Sequence, residues 1–183
     1  RRGSGVRAAE HMTQNVTPVE AFVADFEAVN GLLAGNDLPW LSSLRRSGIE
    51  QFSGQGLPHA KLEAWKYTRL RPLEDTSFRP VNDADGGAGV ASIPAVLPSD
   101  SSHPRIVFVN GTLRPDLSWL DALPDGVSIE SLGQVIASDP EWVGAHLGRI
   151  GRLDGQPLTA LNTAMMNCGC VIRVRRGVVV EAP

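Results

Sequence analysis

Between Pro80 and Pro104 the sequence loses every pattern that specifies regular structure. The run VNDADGGAGVASIPAVLPSDSSH has no aromatic residue and no sustained hydrophobic period. It is dense in Gly, Ala, Ser, Asp and Pro, a composition that buries too little apolar surface to offset the entropy of ordering its backbone. The interruption divides the chain, because apolar residues recur at helical spacing before it and in β-branched runs after it. It predicts a flexible linker over 80–104, a helical region over 12–79 and a small α/β region over 105–169. His103 lies within the linker and is assigned no role.

The helical region opens with Thr17-Pro18-Val19-Glu20, a capping box with proline at the first helical position. Val19, Phe22, Val23, Phe26, Val29, Leu32 and Leu33 follow at three- and four-residue spacing, one apolar stripe that Gly35 can end in a left-handed cap. A second helix is predicted from Pro39 to about Phe52, with Asp37 near its cap and Gly48 as a weak point of ~1 kcal/mol relative to alanine. The two read as an antiparallel helical pair. A shorter helix is predicted over Lys61–Thr68, with Leu62, Trp65 and Leu70 inward.

Beyond the linker, Arg105-Ile-Val-Phe-Val109 is apolar on both faces and predicts a buried strand. Asn110-Gly111 predicts a hairpin turn, with Thr112 to Arg114 as the return strand before Pro115. Val127 to Glu130 alternates as a third strand after the turn at Pro124-Asp-Gly126. Ser131 with Gln134 forms a second capping box, and Asp139-Pro140-Glu141 opens another helix with Trp142, Val143, Leu147 and Ile150 on its apolar side. His146, also on that side, reads as a partly buried structural histidine. Val178 to Val180 is the strongest strand signal of the C-terminal half.

Charge and cysteine usage narrow the function classes. The net charge is −3 with no strong basic cluster, which argues against nucleic acid and anionic membranes as partners. No apolar run is long enough to span a membrane. Two cysteines are too few for a secreted disulfide framework, so a reducing, cytosol-like compartment is expected. Residues 1–11 lack the apolar core of a secretory signal, and a vector-derived or disordered leader before a start at Met12 accounts for them.

Chemical signatures are sparse. No phosphate-binding glycine loop, zinc-protease helix or nucleophile elbow is present. Lys61, Lys66, Arg69 and Arg71 surround Trp65 and Tyr67, an arrangement that fits base stacking with phosphate contacts. An ordinary helix that packs Trp65 and solvates its charges fits the acidic surroundings better. Cys168-Gly-Cys170 is the candidate metal set, since alternate residues of a strand share a face. Two ligands leave a zinc or iron–sulfur site two short, and buried cysteines at a helix-to-strand turn are the simpler expectation. Met165 and Met166 are expected in the core.

Two stretches together resemble the SufB/SufD family of the Suf iron–sulfur cluster assembly system. Glu63-Ala-Trp-Lys-Tyr-Thr68 with Leu70 is similar to a motif of its SufD branch. Ala160-Leu-Asn-Thr-Ala164, Gly169 and Gly177-Val-Val-Val-Glu181 are similar to a later passage of the same family. The resemblance carries Glu63, Trp65, Lys66, Tyr67, Leu161, Asn162, Gly169 and Gly177 as structural or interface positions. It gives Cys168 and Cys170 no cluster role, because the family has an acidic residue at the first. It implies an α+β fold in which residues 170–183 begin a right-handed parallel β-helix, truncated here, so that the chain is an N-terminal fragment. It further implies a non-catalytic, bacterial cytoplasmic scaffold that pairs with SufB and the ATPase SufC through regions beyond Pro183. Cluster and reduced flavin would belong to the intact complex. A stand-alone interaction module and a SufB paralogue are the alternatives, and an open strand edge near Val178 would favour self-association.

Overall fold

The computed structural model describes residues 16–76, 78, 104–121 and 123–181, so the linker expected over 80–104 and the leader over 1–11 lie, but for Pro104, outside the described residues. Helix α1 (Pro18–Val29) begins as its capping box dictates. Glu20 N donates to Thr17 Oγ1 at 3.3 Å, and Thr17 N donates back to Glu20 Oε2 at 2.7 Å. The helix turns into a 3-10 segment at Asn30–Leu32, which rotates Leu32 out of the expected stripe to 83% exposure while Leu33 stays buried. Phe26 is fully buried, and Phe22 meets Phe52 edge-on at 5.8 Å.

Helix α2 (Pro39–Gln55) is the spine of the molecule. Leu38, not Asp37, occupies its cap, with no side-chain hydrogen bond. Its two halves feed two cores. Leu41 packs with Leu132, Val135, Ile136, Val143 and Val171; Ile49 and Phe52 pack with Phe26, Ala160 and Ala164. The expected pairing with α1 exists, but the more extensive partner of α2 is α6 (Pro157–Met165). Gly48 makes that crossing possible. A Cβ there would lie 2.8 Å from both Ala160 O and Ala164 N, so the glycine read as a weak point is the contact itself.

Arg45 sits between the two cores and is fully buried. Its Nε and Nη2 donate to Met166 O at 3.2 and 2.8 Å, and Nη2 also donates to Ala34 O at 2.8 Å. Asn167 Oδ1 accepts from Ala34 N at 3.0 Å, closing the clamp. Burial pushes the Arg45 guanidinium below its ordinary pKa; hydrogen bonds from Nε and Nη2 to backbone carbonyls offset part of its desolvation, while Nη1 is buried without a partner.

After α2 the chain does not form the helix expected over 61–68. A 3-10 turn at Glu63–Trp65 and a short α3 (Arg71–Asp75) replace it. In the second half, Asn110 (φ 50°) and Gly111 (φ 85°) form the hairpin turn between β1 (Phe108–Val109) and β2 (Thr112–Leu113). Val107, Val109 and Leu113 face inward and Phe108 is 42% exposed, so this strand is buried on one face and shorter than expected. Arg105 contributes an isolated bridge to Trp119.

Strand β3 (Val127–Ser131) pairs antiparallel with β4 (Cys170–Val174), in register from Val127↔Val174 to Ser131↔Cys170. Between them lie α4 (Leu132–Ser138), started by the Ser131–Gln134 box, and α5 (Pro140–His146), capped by Asp139. The α5 helix ends at His146 and Gly148 (φ 73°) redirects the chain, so Ile150 is 93% exposed instead of packed. His146 is exposed too, its ring stacked on Trp142. On β4, Val171 points into the core and Arg173 lies 4.1 Å over the Trp142 ring. The opposite face carries Val127, Ile129, Ile172 and Val174, the last two about half exposed. Val178–Val180 form no strand, and Val179 is 73% exposed. Among the described residues both sheets are two-stranded and antiparallel. The architecture is a mixed one of helices with small antiparallel sheets.

Candidate interaction surface

After Gly56 (φ 72°), Leu57 still packs against the core and Pro58 is buried; from His59 the chain runs over the surface as successive turns into α3. Leu62 N donates to His59 O at 2.9 Å, Trp65 N to Leu62 O at 2.9 Å, and Thr68 N to Trp65 O at 3.0 Å. These bonds fix the backbone and set the side chains apart. Trp65 is half-buried, whereas Glu63, Lys66 and Tyr67 are exposed. Packing therefore accounts for the tryptophan and not for the tyrosine, which is 89% exposed with Lys66 Nζ 5.5 Å from its ring centroid.

The second motif lies on α6 and beyond. Leu161 is half-buried and Asn162 exposed. Both line an apolar groove of about 370 Å³ with Phe22, Leu73, Phe78 and Met165, and Asp25 at its side. Leu73 and Phe78 follow the Trp-Lys-Tyr segment closely, so the groove brings the neighbourhoods of the two motifs together. Glu63, Trp65, Lys66 and Tyr67 do not line it. Gly169 (φ 141°) immediately precedes β4 and its carbonyl accepts from Leu132 N at 3.0 Å; Gly177 (φ 85°) turns the chain after β4. The groove's lining suits an apolar side chain, with Asp25 and Asn162 as polar markers at its rim.

The cysteines do not share a strand face. Cys168 precedes β4, is exposed, and lies against the β1–β2 turn at Gly111, while Cys170 is half-buried at the first position of β4. The buried pair expected at this turn is thus corrected. Glycine at 169, in a backbone region closed to other residues, sends the two thiols apart. Among the described residues no three His, Cys, Asp or Glu side chains gather where they would hold a metal ion. Met165 and Met166 pack against the two cores. No described helix is long and apolar enough to cross a membrane.

Arg45 and the groove around Phe22 and Leu73 escape sequence reasoning. An arginine on an amphipathic helix reads as solvent-facing, and nothing local signals two carbonyls waiting for it. The groove depends on α6, whose place beside α1 and α2 no local pattern encodes.

The described residues form a domain of helices and small antiparallel sheets that carries an exposed segment after α2 and an apolar groove beside α6. The chain belongs to the SufBD family: residues 17–183 match the SufBD protein N-terminal region. It is 25% identical over 178 residues to an iron–sulfur cluster assembly SufBD family protein of Synechocystis sp.. That alignment covers 96% of this chain and 38% of the relative, so the chain spans well under half of that protein's length. No solved structure matches it.

Proposed function

We propose that the chain is the N-terminal region of a SufD-like, non-catalytic scaffold subunit of the Suf iron–sulfur cluster assembly complex in the bacterial cytoplasm. Family membership over residues 17–183 carries this reading. The name of the Synechocystis relative supports it by giving iron–sulfur cluster assembly. Within the family, Glu63-Ala-Trp-Lys-Tyr-Thr68 favours SufD over SufB. On this reading a SufB-like subunit and the SufC ATPase bind mostly to regions beyond Pro183. The cluster and any reduced flavin belong to the intact complex, and Cys168 and Cys170 hold neither.

The apolar outer face of Val127, Ile129, Ile172 and Val174 supports a further expectation, that the chain leads into a right-handed parallel β-helix. An antiparallel pair in water ordinarily turns polar side chains outward, and this one does not.

Co-expression of the full-length reading frame with SufB-like and SufC-like proteins tests the proposal. The expected result is a stable complex of the three whose ATP hydrolysis requires the SufC-like subunit. Turnover of ATP by the full-length protein alone overturns the scaffold reading. A complex that forms with a SufD-like protein in place of the SufB-like one reassigns the chain to SufB.

A further inference from the structure

Tyr67 is 89% exposed, roughly twice the exposure of Trp119, Phe78 or Phe108. A single exposed ring is ordinary on a protein surface and by itself carries no argument. Its surroundings supply one. Leu62, five positions earlier in the same run of turns, is 39% exposed, and Lys61, Lys66, Arg69 and Arg71 are all exposed, with Glu63 as the intervening carboxylate. Arg71 makes only a loose, solvent-exposed pair with Asp75 at 3.7 Å. Lys66 Nζ stands 5.5 Å from the Tyr67 ring centroid, within cation–π reach, so charge and ring form one unit. Turn hydrogen bonds from His59 to Thr68 and the half-buried Trp65 hold the segment in place before anything binds, which lowers the entropy lost on association.

We infer that residues 61–71 form a docking surface for an acidic protein segment, one that places an apolar side chain against Tyr67 and Leu62 and carboxylates against Lys61, Lys66 and Arg69. Tyr and Arg are among the side chains that most often anchor such interfaces. Charge complementarity selects this occupant: the chain as a whole carries −3, and this stretch is a cationic exception within it. A single-stranded nucleic acid fits less well. It asks for a row of exposed rings along a cationic groove, whereas here one ring is exposed, Trp65 is half-buried, and Glu63 interrupts the cations. The inference stands apart from the Suf reading, since it rests on exposure and charge alone.

Selection from a displayed library of randomised linear peptides, with the full chain as bait, tests it. Enriched peptides should combine Asp or Glu with an apolar residue. A synthetic copy should lose about tenfold in affinity against Tyr67→Ala and against Lys66→Glu, and should weaken with added salt. Arg69→Glu provides a second charge variant should either of these misfold. Absence of enrichment, or peptides that bind the variants as well as the parent, overturns the inference. So does a labelled oligothymidylate that binds more tightly than the peptides and is lost with the same substitutions.

Discussion

The α2–α6 crossing and the 59–76 segment follow α2 in opposite senses. At the crossing, Gly48 lets two helix backbones touch and Arg45 holds the carbonyls of Ala34 and Met166, so both positions are committed to internal contact. In the segment, hydrogen bonds run between backbone groups a few residues apart, and the side chains of Glu63, Lys66 and Tyr67 reach into solvent. One region spends its residues on internal contact and is intolerant of change. The other keeps its shape by turns and leaves its side chains for something outside.

Substitutions can break this contrast. The largest effect is expected from Arg45→Met, which keeps apolar bulk but strands Ala34 O and Met166 O without donors. Chemical denaturation should show a loss of about 3 kcal/mol, and a value near zero would mean the clamp is dispensable. Next comes Gly48→Ala. The added Cβ meets backbone that cannot swing aside, and about 2 kcal/mol of overpacking should outweigh the gain in helix propensity, lowering the melting temperature.

Thr17→Ala should cost about 1 kcal/mol by removing a helix cap. The same cap carries a pH effect. The backbone amide of Thr17, and after it the Thr17 hydroxyl, hold the Glu20 carboxyl below its ordinary pKa. A carboxyl with a depressed folded pKa contributes stability above its unfolded value and loses it as pH falls through the folded value. Acid titration of stability should therefore be flatter in Glu20→Gln than in the parent. The smallest effect sharpens the contrast: Tyr67→Ala should shift stability by less than about 0.5 kcal/mol. A larger loss would show that the ring packs after all.

What could be read from the sequence is what is local. The boxes at Thr17–Glu20 and Ser131–Gln134, the Asp139 cap and the Asn110-Gly111 turn each involve residues within four positions, and each forms as written. Failures follow from tertiary context. Val178–Val180 have strand-forming side chains but no partner strand among the described residues, and remain irregular. The helix expected over 61–68 had a stripe without a surface to bury it. Helix propensity makes Gly48 a weak point, whereas the fold uses it to make room for α6. The motif positions around Trp65 and Leu161 were visible as a resemblance, but which of them face solvent depends on the packing of α1, α2 and α6.

The clamp at Arg45 reaches across 121 positions to Met166. A ribosome adding ~5–20 residues per second needs roughly 6–24 s to travel that far. Through that interval α2 has only α1 to cover Ile49 and Phe52, and Arg45 has only its nearer acceptor, Ala34 O. The order of synthesis thus leaves the spine of this domain waiting for α6, its most extensive packing partner.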